Sequence, residues 1–457
     1  MAKVINPATG ETVRELAWHD PDAIERKLTA AATAFQDWRA MSFSERGGHL
    51  RNVAAELRRN KPRHSSLMTE EMGKPVSEAD GEVEKTAWCA EHYADHAAHY
   101  LAAETLESDA TRSWVQYLPL GTVLGILPWN SPYWLASRVF APALMAGNTV
   151  IIKHDSHVPG CARAIEEAFI AAGVPEGVLQ TLIVDNGTAE AVIRDHRIAA
   201  VSFTGSTRGG SQVASVAASE IKPAVLELGG SDPAVVLADA DLDKAVDTIA
   251  TSRFICAGQS CIAAKRILVE QAVYGAFLDR FQERLEGLKV GDPSRPETDI
   301  GPLARADLRD ELHRQVTDSI ARGAKCLLGG EVPPGPGCFY PVTLLADVPL
   351  DAPAFTEETF GPVAAVAPVR DAEHALEIAN ASEYGLAAAI WTTAERGEAL
   401  ASRFQSGQVA INGIVKTDPR LPSGGVKRSG YGRELGPHGI REFVNAQQVW
   451  LGPKKEG

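Results

Sequence analysis

Apolar residues first fall into a helical rhythm between Asp20 and about Trp38, at Ile24, Leu28, Ala31 and Phe35. Asp20 and Pro21 suit the cap and first turn of that helix. The spacing predicts further helices over 44–60 and 76–103, behind an extended arm at 1–19 with a turn at Asn6–Gly10. The rhythm then changes. RSWVQYL (112–118) reads as a strand and is followed by the apolar run VLGIL. Strands at 148–153, 178–184, 199–206 and 224–230 then alternate with helices at 158–172, 188–195 and 207–218. This alternation predicts an open parallel sheet with helices on both faces. Ligands bind such sheets beyond the carboxyl ends of the strands, where Lys153, Gly205 and Glu227 fall. A second α/β unit follows, with helices at 242–253, 274–286, 305–322, 371–379 and 394–404, and strands at 264–269, 363–369, 387–391 and 408–412. Strands 112–118 and 447–452 lack a partner and are expected to pair across subunits, because lone edges need cover.

The 457 residues exceed one ordinary core, so two or three domains are expected. The fold class is α/β: an open, mostly parallel Rossmann-like sheet, a second α/β catalytic domain and a small β arm. The expected divisions are 1–103 with 120–241 for the dinucleotide-binding domain, 242–440 for the catalytic domain, and 104–119 with 441–457 for the oligomerisation arm. A net charge of −14 argues against nucleic acid and anionic membrane surfaces as partners. MAKVINPATGE lacks the apolar core of a signal peptide, and Pro, Gly or Asn breaks the long apolar runs, so no membrane span is expected. None of the six cysteines forms a C-x-x-C pair or a zinc-type cluster, which fits a reducing, cytoplasmic setting. His92, His96 and His99 share a helix face without an acidic or Cys partner, and no metal site is predicted.

Three short segments carry candidate chemistry. In FICAGQSCIAAKR (254–266), Cys261 follows a Gly-containing turn between apolar runs and can face a cleft. A nucleophilic thiol there needs a positive local field and a base; the alternative is a buried structural cysteine. Glu227 ends an apolar strand, where burial should raise its pKa toward that of a general base; it could equally serve as a structural hydrogen-bond acceptor. Asn130 stands in PWNSP, where prolines hold its amide still as an oxyanion donor would need, or as an ordinary turn residue. The turn FTGSTRGG (203–210) follows a strand and opens a helix, a setting for phosphate, but it is not the G-x-G-x-x-G fingerprint.

W-N-x-P, I-I-K, F-T-G-S, L-E-L-G-G, G-Q-S-C and E-E-T-F-G-P occur in this order, with INPATGE, EMGKP and PSGGVKRSGYGRE around them. Together they resemble the motifs of the aldehyde dehydrogenase superfamily across nearly the whole chain. KHDSHVPGCA (153–162) and LELGGSDP are most similar to its bacterial succinate-semialdehyde dehydrogenase branch. The resemblance implies NAD(P)-dependent oxidation of an aldehyde to an acid. Cys261 would attack the aldehyde, Asn130 and the Cys261 N–H would hold the oxyanion, and Glu227 would activate water against the thioester. Trp129, Lys153, Ser156, Gly205, Ser206, Leu228, Glu358 and Phe360 would contact the cofactor. Family members form dimers or tetramers.

NAD-preferring members often carry Glu where Ser156 stands, so Ser156 with Lys153 implies NADP over NAD, against the anion of Asp155. Arg138 occupies a position where some semialdehyde enzymes carry Arg, and a guanidinium can take a substrate carboxylate. Lys416 and Arg420 are weaker candidates. Ser131 and Ser423 replace frequent phenylalanines, which widens the pocket and leaves a bulkier or aromatic aldehyde or a longer oxo acid open. Without the cofactor residues, Cys, donor and base would also suit a thiol esterase or acyl-transfer enzyme. Cys256, five residues before Cys261, raises the alternatives of a reversible disulfide or a packed thiol.

Overall fold

The computed structural model describes residues 1–453. Two mixed sheets dominate it, as the alternation predicts. The first has six strands, ordered 430–431, 224–227, 198–204, 122–127, 149–154 and 179–181. All its pairings are parallel except that of the 430–431 edge. The order of connection reverses between Thr122–Leu127 and Ile198–Thr204, which opens a crevice at their carboxyl ends. Strand residues alternate between two cores: Val123 and Leu127 join one, Leu124 and Ile126 the other. The buried strands therefore read as continuous apolar runs.

The second sheet has seven strands, and the first of them to follow the Glu227 strand is Pro233–Val236, six residues after Glu227. Thus the carboxyl edge of the first sheet leads directly to the amino edge of the second. Pro233–Val236 was expected within the first unit, as part of 120–241. Its leading Pro reads as a turn in sequence, yet it pairs between Arg266–Glu270 and Ala387–Trp391. The late segment also departs from expectation, because Gly430–Tyr431 returns to the first sheet beside Leu226 and Glu227.

Two further expectations change. Strands Ala110–Pro119 and Val444–Pro453 pair antiparallel with each other inside the chain, with Glu104–Thr105 at the edge. They therefore supply each other's cover; residues 454–457 of the expected arm lie outside the described residues. The helix Lys61–Met72 carries no clear apolar rhythm because its buried face includes His64, Ser65, Thr69 and Glu71. These groups are bonded: Glu71 accepts the N–H groups of Gly160 and Cys161 at 3.0 Å each, and His64 meets Tyr133 at 2.9 Å. No helix among the described residues is long and apolar enough to cross a membrane.

The helix Pro132–Met145 is buried along its whole length. A helix start leaves N–H groups without intrahelical acceptors. Glu82, from the helix Val76–Tyr100, supplies one carboxylate oxygen to the N–H groups of Tyr133 and Trp134, at 2.9 and 3.1 Å. Its other oxygen pairs with Lys74, which also reaches Ser131 Oγ at 3.2 Å. Lys74 and Glu82 are both buried. Glu82→Gln keeps an acceptor for the helix but strips Lys74 of its counter-charge. A stability loss of about 3 kcal/mol is expected in urea unfolding, as for other broken buried pairs.

Candidate active site

Asn130 follows the strand Thr122–Leu127, at the point where the first sheet reverses its connection order. Its side-chain amide donates one hydrogen to the Gln259 carbonyl at 3.0 Å. The second hydrogen of that amide stays available. Gln259 is itself fixed: its Nε2 donates to the Cys256 carbonyl at 3.1 Å and its Oε1 accepts from Ala304 N at 2.9 Å. The backbone before it takes three successive left-handed residues, Cys256, Ala257 and Gly258. Only the third is glycine, and a Cβ there would lie 2.2 Å from the Gly361 carbonyl. Buried Arg253 holds this strained turn by donating to the carbonyls of Gly258, Thr359, Gly361 and Val363. Cys261 follows on the next turn and is partly exposed.

The turn after Glu227 packs on the Cys261 loop. A Cβ at Gly230 would come within 3.1 Å of the Cys261 carbonyl. Lys265 donates to that carbonyl at 2.6 Å and pairs with Glu358 at 3.0 Å, while Gly230 N donates to Glu358 at 3.2 Å. Cys261, the Glu227 turn and Glu358 thus form one cluster.

The expected positive field at Cys261 is only half of what is found. Burial pushes the thiol up to about 11; Lys265 and Arg138 oppose this, and Glu227 and Glu358 add to it. The resting sulfur is a neutral thiol that needs a base. Glu227 suits that need. Burial lifts its carboxyl well above the usual range, Arg138 pulls it down, and Glu434 lifts it again. Its Oε1 is buried with no hydrogen-bond partner among the described residues, so it can accept a proton.

The structure corrects the reading of Arg138. Its guanidinium is 2% exposed and lies between two carboxylates, donating to Glu227 Oε2 at 3.0 Å and pairing with Glu434. Ser423 Oγ is a further neighbour at 3.5 Å. A substrate carboxylate would have to displace one of these acids, so Arg138 serves Glu227 instead of the substrate. Arg420 is also engaged, folded onto Asp418 through two hydrogen bonds of 2.8 and 2.6 Å. Lys416 is exposed.

Cys256 is held by partners other than Cys261. Its N–H donates to Glu78 at 2.8 Å, its Sγ lies 3.5 Å from the Asn130 carbonyl, and Lys74 and Glu82 complete its charged surroundings. Both thiols are free. The packed-thiol reading fits this placement.

The residues expected at a dinucleotide suit a polyanion. Lys153 stands one residue before the end of its strand, buried, and donates to the Asn186 amide at 2.9 Å, with no carboxylate as hydrogen-bond partner among the described residues. Asp155, the unwelcome anion, is turned to His157, which it binds through both the backbone N–H and the ring. Ser156 beside it is half-buried. Gly205 and Ser206 stand at the sheet's reversal point, and Ser206 caps the helix Thr207–Ser219 by accepting from Gly209 N at 3.2 Å. A Cβ on Gly210 would strike Leu228, so that side chain lies over the first turn of this helix. Trp129 and Phe360 meet edge to face at 5.8 Å, with Lys265 over the Phe360 ring. A dinucleotide laid across the crevice would meet Lys153 and Ser156 at one end and Glu358 at the other.

Sequence reading missed Gln259, Arg253, Lys265 and Glu434. Gln259 and Lys265 stand inside the quoted cysteine motif and Glu434 inside the quoted late motif, so their positions were in view without their roles. Arg253 ends an amphipathic helix and looks like any basic last-turn residue.

The model of the Aldehyde dehydrogenase family matches residues 1–449. Over 448 residues the chain is 48% identical to a protein of Synechocystis sp. named a probable NADP(+) succinate-semialdehyde dehydrogenase, covering 98% of this chain and 99% of that one. It is 46% identical to an Escherichia coli succinate semialdehyde dehydrogenase named for NAD(P)+, covering 98% and 97%. The crystal structure of succinic semialdehyde dehydrogenase from Streptococcus pyogenes in complex with NADP+ superposes with a TM-score of 0.96 at 35% identity, covering 98% of this chain and 99% of that one. The match runs through every motif from Asn130 to Glu434, and this chain belongs to the aldehyde dehydrogenase family.

Proposed function

We propose that the protein oxidises succinate semialdehyde to succinate, with NADP preferred over NAD. The observation that carries the chemistry is the packing of the Glu227–Gly230 turn against Cys261 while Glu358 is tied to both through Lys265 and Gly230 N. Cys261 loses its proton to Glu227 and attacks the aldehyde carbon, forming a thiohemiacetal. The free amide hydrogen of Asn130 and the Cys261 backbone N–H take the oxyanion. A bound nicotinamide supplies the acceptor for the hydride leaving that carbon, and a thioester stays on Cys261. Glu227 releases the first proton to solvent and then takes one from water, which attacks the thioester, frees the acid and leaves the Cys261 sulfur as the departing group. Arg138 keeps Glu227 oriented through both stages, and its charge, set against burial and Glu434, tunes the carboxylate for proton transfer.

Support for NADP comes from Lys153 and Ser156, a cation and a hydroxyl that suit a 2′-phosphate, with Asp155 occupied by His157. The names of the relatives favour the same cofactor and substrate. A homodimer or homotetramer is supported by the outer strand Val444–Pro453, which exposes Trp450 and Leu451. The presence of Glu227 favours hydrolysis of the thioester over its transfer to coenzyme A.

Three measurements test this reading. Steady-state kinetics with succinate semialdehyde should give a kcat/KM at least about tenfold higher with NADP than with NAD, the worth of one charge-assisted contact; a clear NAD preference refutes the cofactor assignment. Glu227→Gln should lower turnover by about 10²- to 10⁴-fold; a Glu227→Gln enzyme that turns over like the wild type removes Glu227 from the mechanism. Turnover of the wild type should fall as pH drops, because a protonated Glu227 cannot accept a proton. With the carboxyl raised by burial, that acidic limb should lie well above the ~4.3 of a free glutamate.

A further inference from the structure

The helix Val76–Tyr100 brings a half-buried lysine to the flank of this site. Lys85 Nζ lies 4.0 Å from the centroid of the Trp134 ring and donates to Thr417 Oγ1 at 3.1 Å. The same hydroxyl accepts the Trp134 Nε1–H at 3.0 Å, so indole, hydroxyl and ammonium form a closed triangle. Trp134 stands four residues beyond Asn130 and one helical turn before Arg138. Thr417 belongs to the same late loop as Ser423, which Arg138 touches. Arg138, one turn beyond Trp134, donates to Glu227, so a single helix joins the Lys85 triangle to the acid–base centre.

Among the described residues, no carboxylate forms an ion pair with Lys85. The carboxylates nearest in effect, Glu82 and Asp418, are taken: Glu82 by Lys74 and two helix N–H groups, Asp418 by Arg420. An ammonium carries three donors, and Thr417 uses one of them. Drawing a cation out of water without a counter-charge is costly, and an indole face offsets only part of that cost. Burial and the Arg138 charge accordingly draw Lys85 down to about 8, with Glu82 and Asp418 opposing. A ligand carboxylate would reverse both effects.

Resting on the oxo-acid reading above, we propose that Lys85, seated on Trp134 and Thr417, anchors the substrate carboxylate at the end remote from the aldehyde. This is the part that Arg138 cannot take, since Glu227 and Glu434 already engage it. Trp134 would lie along the carbon chain, and the charge on Lys85 would select ω-oxo acids over uncharged aldehydes of the same length.

The test compares succinate semialdehyde with butanal, at saturating NADP, for the wild type, Lys85→Met, Lys85→Arg and Thr417→Val. Wild type should prefer succinate semialdehyde in kcat/KM. Lys85→Met should raise KM for succinate semialdehyde about tenfold to a hundredfold, the worth of a charge-assisted hydrogen bond. Its kcat should stay close to that of wild type, and its butanal kinetics should be unchanged or improved. Lys85→Arg should restore part of the preference, and Thr417→Val should raise the same KM more modestly. If Lys85→Met melts out, Lys85→Gln takes its place and is read in the same way. An equal rise in KM for both aldehydes, or an unchanged ratio, overturns the Lys85 assignment. A wild type with no preference for succinate semialdehyde overturns the oxo-acid reading itself.

Discussion

Two sheets must be locked edge to edge before any chemistry can occur, because the reacting groups are divided between them. Asn130 and Glu227 hang from the first sheet; Cys261 and Glu358 stand on loops that feed the second. The Asn130 amide on the Gln259 carbonyl and Gly230 N on Glu358 join the first sheet to these loops, and Lys265 and Arg253 hold the two loops to each other. Lys265 spans the Cys261 carbonyl and the Glu358 carboxylate, and Arg253 collects carbonyls from both loops. Neither side chain is exposed to water. In such a setting each hydrogen bond is stronger than in water, and each missing one would be costly. The loops are therefore held at one spacing, and the strained backbone at Cys256 and Ala257 is tolerated.

Burial that rigid has an electrostatic consequence. It opposes charge on every ionisable group it encloses, so the Cys261 thiol is kept protonated and the Glu227 carboxyl is raised. A site of this kind rests close to neutral and holds its proton ready for transfer. Arg138 prevents the effect from going too far. Placed between Glu227 and Glu434, it supports ionisation of one carboxylate while their mutual repulsion disfavours both. The result is an acid–base pair of sulfur and carboxylate whose proton affinities the surroundings set together.

The wall beside this centre follows a different logic. The helix Pro132–Met145 begins two residues after Asn130, the proposed oxyanion donor, is capped by a buried carboxylate from the neighbouring helix, and carries Trp134 and Arg138 on successive turns. One rigid helix thus carries both the indole on which Lys85 rests and the guanidinium that binds Glu227. Ser131, which stands where a ring is frequent in the family, accepts a hydrogen bond from Lys74 on its hydroxyl oxygen.

Much of this was legible in the chain. The change from helical to alternating rhythm set the α/β class, and the motifs around Asn130, Glu227 and Cys261 pointed to the family and to the groups proposed to react, because chemistry demands particular side chains at particular turns. Strand Pro233–Val236 and helix Lys61–Met72 escaped, one through a leading Pro and the other through a polar buried face. The field at Cys261 and the partners of Arg138 were beyond reach for a stronger reason. A sequence names which charges exist, but pKa and pairing depend on distance and burial, and those arise only when residues hundreds of positions apart pack together. Arg138 and Glu434 are such a pair; so are Lys85 and Thr417. The identity of the chemistry was therefore a property of the sequence, and the division of labour among its charges was decided by the folded structure.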